Sequence, residues 1–181
     1  MPDHLLRWRG LETVGLEHCH VREAENGVTV ESLLIASAGP NPIAAAYTMV
    51  LMPDWTFRSI RIERPGHALW RLAHDATGRW TINDTPAPHL EGCIDIDLSG
   101  SPLTNTLPIR RARLLANVPQ RFEMAWIDVA DLSVHRDGQI YTRLDAHRVR
   151  YQSADSEFEA VLTLDDHGFV RDYPGLFTRL G

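Results

Sequence analysis

Along almost the whole of this chain, apolar residues return at every second position and almost never at every third or fourth. Successive side chains of a strand point to opposite faces, so this period commits the chain to sheet and leaves little of it for helix. The clearest case is Cys93-Ile94-Asp95-Ile96-Asp97-Leu98, where Ile94, Ile96 and Leu98 share one face and Cys93, Asp95 and Asp97 the other. Phe57 to Arg64 sets Ile60 and Ile62 against Arg61 and Glu63, and Phe158, Ala160, Leu162 and Leu164 form another alternating set. Phe122, Met124 and Trp126 alternate with Glu123, Ala125 and Ile127, which predicts a strand buried on both faces.

Short polar turns separate these runs. Glu25-Asn26-Gly27 and Asp137-Gly138 carry hairpin signals, and Thr77-Gly78 and Asp165-Asp166-His167-Gly168 are looser versions. Pro40-Asn41-Pro42 and Thr85-Pro86-Ala87-Pro88 read as loops, neither long enough to link domains. Runs spaced this closely predict sequential antiparallel neighbours in a meander. A chain of 181 residues suffices for one core rather than two, so residues 1–181 are expected to form a single domain. One helix is predicted. Ser101 or Thr104 would cap it, Pro102 suits its first turn, and Leu103, Leu107, Arg110 and Arg111 follow. An interior proline loses a hydrogen bond and clashes, so the helix is short, kinked, or begins again near Pro108. A chain otherwise all β buries its one helix against, or inside, a curved sheet.

Charge and motif content narrow the chemistry. A net charge of −6 disfavours nucleic acid and anionic membrane surfaces as standing partners. The longest mostly apolar stretch, Ile43 to Pro53, falls short of the roughly 20 residues that cross a bilayer, so no stable membrane insertion is expected. Residues 1–10 hold no apolar run of signal-peptide length, which makes a cytoplasmic location the expectation and Cys19 and Cys93 reduced thiols. All 18 basic residues are arginine, whose fork clamps a phosphate, carboxylate or sugar with parallel hydrogen bonds. Lysine-dependent mechanisms are excluded. With no nucleophile elbow, P-loop or dinucleotide fingerprint, neither a cofactor nor a catalytic residue is assigned. His18 and His20 share a strand face, but two ligands fall short of a zinc set, so no metal site is expected. Neighbouring carboxylates raise the Cys93 thiol and spoil it as a nucleophile.

Asp95 and Asp97 have side chains roughly 6–7 Å apart on one strand face, which overlaps the separation of a glycosidase carboxylate pair. The competing reading pairs them with Arg110 or Arg111, which suits structure or ligand anchoring better than acid catalysis. Trp8, Trp55, Trp70, Trp80 and Trp126 read individually as core filling, with at least one of the set expected to line a cavity.

Gly92-Cys93-Ile94-Asp95-Ile96-Asp97-Leu98, followed by Ser101-Pro102-Leu103-Thr104-Asn105-Thr106-Leu107-Pro108-Ile109-Arg110-Arg111, resembles the signature of the bacterial putative glycolipid-binding family. Arg7-Trp8, Gly10-Leu11-Glu12, Asp54-Trp55, Gly78-Arg79-Trp80, Tyr141 and Asp172-Tyr173-Pro174-Gly175-Leu176-Phe177 match in order, so the resemblance spans nearly the whole chain. It implies a mostly β fold: a spiral β-roll, in which a long curled antiparallel sheet wraps around a single α-helix. That shape is similar to the bacterial lipoprotein localisation factors, which carry acyl chains in a hydrophobic cavity. The implied function is non-enzymatic binding of a glycolipid or other acyl-chain ligand between sheet and helix. Asp95, Asp97, Asn105, Arg110 and Arg111 are the candidate polar anchors, and Trp55, Trp80 and Trp126 the candidate walls. Two alternatives stand beside it. One is a hydrolase acting on a glycolipid or ester through Asp95 and Asp97; the other is a structural homodimer paired through sheet edges, without ligand.

Overall fold

The structure is a computed structural model that describes residues 2–38 and 41–181. Its first eight strands are β1 (Asp3–Gly10), β2 (Gly15–Ala24), β3 (Gly27–Ala38), β4 (Asn41–Leu51), β5 (Phe57–Glu63), β6 (Trp70–His74), β7 (Trp80–Ile82) and β8 (Thr85–Pro86). Then come β9 (Asp95–Leu98), a 3-10 turn (Pro102–Asn105) and the six-residue helix α1 (Thr106–Arg111). The remaining strands are β10 (Gln120–Ile127), β11 (Val134–Arg143), β12 (Arg148–Ser153), β13 (Glu159–Leu164), β14 (Val170–Tyr173) and β15 (Phe177–Arg179). All fifteen belong to one open sheet, in the order β8-β7-β6-β5-β4-β3-β2-β1-β15-β14-β13-β12-β11-β10-β9.

The sheet curls strongly. At about 4.8 Å per strand, a flat sheet of this order would hold β8 and β9 about 67 Å apart. Only residues 87–94 join them, a reach of at most roughly 30 Å. Trp80 on β7 in fact donates its indole N–H to the carbonyl of Cys93, 3.2 Å away and just ahead of β9. The two ends of the sheet have been brought together.

Every strand pair is antiparallel except β9–β10, which is parallel with Asp95 opposite Met124 and Leu98 opposite Ile127. A parallel pair needs a crossover of a dozen or more residues. Residues 99–119 supply it, and the 3-10 turn and α1 lie within them. Ser101 is extended, the conformation a following proline favours, and Pro102 opens the 3-10 turn. The helix restarts as α at Thr106, so Pro108 sits in its first turn, where no amide hydrogen is required. No side chain caps either segment: Ser101 occupies the cap position, but its hydroxyl is drawn to Glu17 instead. Among the described residues no helix is long and apolar enough to cross a membrane.

Two apolar clusters fill the interior. The larger takes Trp8, Val21, Val30, Met49, Phe57 and Ile60 from the early strands together with Ile96, Leu98, Ala125, Ile127, Leu103 and Leu107. The smaller joins Met124 to Tyr141, Val149, Leu162, Val170 and Ile109. Strands β9 and β10 therefore stand between the clusters, and Met124, Ala125 and Ile127 are each at most 1% exposed. Burial on both faces extends to β9, where Asp95 is as deep as Ile96, while Ile94, just outside the strand, is exposed.

Local turn chemistry is misleading in several places. Asp137-Gly138 lies inside β11, not at a hairpin, with Gly138 opposite Glu123. Glycine is needed there because a Cβ would sit 2.7 Å from the Arg121 guanidinium and 2.9 Å from the Ala154 methyl. The β10–β11 connection comes earlier, where Asp128 accepts from the amide of Ala130 and Asp131 from that of Ser133. Thr85-Pro86 pairs as the short strand β8, and Asn41-Pro42 opens β4, while Pro40 lies outside the described residues.

Two arginine forks tie α1 to the sheet. Arg110 meets Glu23 of β2 at 2.9 and 3.1 Å, with its guanidinium 4.1 Å from the centre of the Trp55 ring. Arg111 meets Asp95 of β9 at 3.1 and 2.5 Å, where Asp95 is 1% exposed. Removing one partner of such a pair leaves an uncompensated buried charge. Asp95→Ala should therefore cost about 3–5 kcal/mol in urea unfolding, and pairing Asp95→Leu with Arg111→Leu should recover most of the loss.

Candidate functional site

The connections β1–β2, β9–helix, β10–β11 and β14–β15 gather at one end of the strands and frame a cleft of about 450 Å³. That volume falls within the range of about 300–1,000 Å³ usual for small-molecule sites. Trp126 of β10, Tyr151 of β12, Phe158, Tyr173 of β14 and Phe177 of β15 wall it. The rings support one another, with Tyr151 at 5.8 Å from Tyr173 and 5.9 Å from Phe158, centre to centre. Asp97 of β9 and Asn105 of the 3-10 turn supply polar lining, because the crossover brings both segments to this end of the sheet.

A continuous hydrogen-bonded chain fixes those two side chains. Asn105 donates from Nδ2 to the Tyr141 hydroxyl at 2.8 Å, and that hydroxyl donates to Gln139 Oε1 at 2.9 Å. Gln139 Nε2 donates to Asp97 Oδ2 at 2.7 Å and to Asp137 Oδ2 at 3.0 Å. Thr104 donates its hydroxyl to Asp97 Oδ1 at 2.8 Å. Gln139 and Tyr141 are fully buried, so the chain is held rigid from behind. Burial pushes the Asp97 carboxyl above its usual range, and the bonds from Gln139 and Thr104 offset this only in part. Burial likewise holds the Tyr151 and Tyr173 hydroxyls far above their usual range, so both stay neutral.

A second polar cluster lies beneath the loop that ends in Ser101. Glu17 of β2 is 1% exposed and takes hydroxyl donors from Ser32 at 2.9 Å and Tyr47 at 2.6 Å. The Ser101 hydroxyl lies 2.9 and 2.8 Å from its two oxygens. Ser101 also lines the cleft, so Glu17 anchors one wall of the site from below. Among the described residues no cation pairs with Glu17, and burial pushes its carboxyl up.

With this geometry in view, residues 5–179 match the family described as "Putative glycolipid-binding". The chain belongs to this family. It is similar to the crystal structure of a DUF1089 family protein from Pseudomonas aeruginosa, with a TM-score of 0.80 and 33% identity over 91% of this chain and 92% of that one. No curated protein matches it.

In this family member, the residues singled out from sequence divide into two groups, with Trp80 apart from both. Asp97, Asn105 and Trp126 meet at the cleft. Asp95, Arg110, Arg111 and Trp55 instead join α1 to the sheet through the arginine forks. Trp80 is packed between Phe57 and His74, stacked on each at 5.4 and 4.5 Å. Asp95 and Asp97 face the crossover segment but serve different partners, one a guanidinium and the other neutral donors. His18 accepts from Arg7 and His20 bonds Asp3, and no metal-holding group of three or more such side chains occurs among the described residues. Both cysteines are free and buried, with the Cys93 thiol pushed up to about 11 by burial.

Sequence reasoning missed Glu17, Asp137, Gln139, Tyr151 and Phe158 as members of these clusters. A signal for Glu17 exists, since it alternates in phase with Cys19 and Val21, which places a carboxyl on an apolar face. Because burial raises the Glu17 carboxyl, the folded chain holds that proton more tightly than the unfolded one. Its stabilising contribution is complete below about pH 4.5 and is lost as pH rises through the folded-state value. Wild type should accordingly lose more stability than Glu17→Gln between acidic and mildly alkaline buffer, measured by urea unfolding at both. Equal losses would show that Glu17 does not titrate in this way.

Proposed function

We propose that this protein binds a glycolipid without transforming it, with the sugar head seated in the cleft against Trp126 and the acyl chain along the apolar wall. One observation carries this reading: a single cleft sets aromatic rings beside immobilised polar groups. A sugar has an apolar C–H face and a rim of hydroxyls, and an aromatic wall with fixed polar partners suits both. Ile43, Leu98, Val129, Leu176 and Phe177 supply apolar lining for the chain. The name of the family supports the ligand class. On this reading the curled sheet acts as a spiral β-roll around the helix segment, whose first turn builds one side of the site.

Binding is favoured over hydrolysis by what surrounds the two aspartates. Asp95 is closed off behind Arg111, and both its oxygens are occupied there. Asp97 has each oxygen tied to a neutral donor, so the two carboxyls do not converge on one reacting bond.

Solvent extraction of the purified protein followed by mass spectrometry should release a glycolipid, and a dodecyl glucoside should bind saturably below its micelle concentration. Trp126→Ala should weaken that binding at least tenfold, about 1.4 kcal/mol, while the unfolding midpoint moves little. Absence of both a co-purifying lipid and saturable glucoside binding would end the proposal.

A further inference from the structure

The cleft carries charge of one sign. Among the described residues that line it, Asp97 and Asp128 are acidic and none is arginine or histidine. That is notable in a chain with 18 arginines and nine histidines. Arg110 and Arg111 are committed to Glu23 and Asp95. Asp137 adds a further carboxylate behind the lining, sharing the Gln139 amide with Asp97. None of the ion pairs among the described residues involves Asp97 or Asp128.

Acidic side chains alone would say little, but two further features of the cleft point the same way. Five aromatic rings wall it, and ring faces attract cations. The hydroxyls of Tyr151 and Tyr173, residues 7% and 6% exposed, accept no hydrogen bond from another residue among the described ones, so their lone pairs stay open to a donor. A phosphate or carboxylate brought here would meet like charge in a partly desolvated site whose described lining holds no arginine or histidine, His135 packing on the Trp126 ring without joining that lining. A protonated amine would find carboxylate, hydroxyl and ring acceptors together.

We infer that the cleft selects a lipid whose sugar head carries a protonated amine, in preference to neutral or anionic heads. This rests on the cleft being the glycolipid site. The test is a calorimetric comparison of three amphiphiles with the same dodecyl chain: the glucoside, its 2-amino-2-deoxy counterpart and its 6-phosphate, each at neutral pH and low salt. The amino form should bind at least tenfold more tightly than the glucoside, and the phosphate most weakly. Asp128→Asn and Asp97→Asn should each bring the amino-to-neutral ratio towards one. Asp128 accepts from the Ala130 amide, whereas Asp97 holds Thr104 and Gln139, so the Asp128 variant remains informative if Asp97→Asn folds poorly. Equal binding of amino and neutral forms, tighter binding of the phosphate, or an unchanged ratio in folded variants would overturn the inference while leaving the glycolipid reading intact. Absence of saturable binding by all three would overturn both.

Discussion

The parallel pairing of β9 with β10 is the constraint from which the rest of the molecule follows. A hairpin cannot join parallel neighbours, so the chain must cross over between them, and residues 99–119 do so through the 3-10 turn and α1. The strand that begins this crossover sits at the far end of a sheet whose other end is eight residues away in sequence. Closing that short link curls fifteen strands round, and β9 and β10 come to lie between two apolar clusters. Parallel pairs are ordinarily covered on both faces, and this one obtains its cover from the rest of its own sheet.

Covering both faces of β9 has an electrostatic consequence. Two aspartates that would be solvated on an open sheet now need partners inside the protein. Asp95 receives a cation, the Arg111 fork, and becomes part of what holds the helix to the sheet. Asp97, two residues along, receives only neutral donors from Thr104 and Gln139. The difference in partner separates a structural carboxylate from one with unmet demand for positive charge. That demand falls where the aromatic cleft opens. Glu17 repeats the pattern on the other side of the loop, held by three hydroxyls that also position Ser101.

The period of two, read residue by residue, is a local property of the backbone, and it determined the predominance of sheet and the runs that became β5, β9, β10 and β13, while turn residues marked Glu25-Asn26 and Asp165–Gly168. Proline stereochemistry is equally local, which is why a helix that is short or begins again near Pro108 was legible, and the pairing of an aspartate with an arginine of the helix was one of two readings the residues offered. Aspartates alternating with apolar residues read as a solvated face, so the depth of Asp95 was hidden. Nor can a Asp-Gly dipeptide reveal that the glycine makes room for Arg121 from the neighbouring strand. The cleft was least legible of all. Asn105 and Tyr141 are 36 positions apart, Gln139 and Asp97 are 42, and Glu17 and Ser101 are 84. Such partners meet only because the sheet curls and the crossover returns. The sequence by itself therefore determined the strands and the residues able to pair, whereas the tertiary structure alone decided which carboxylate met a cation and which was left facing an aromatic cleft.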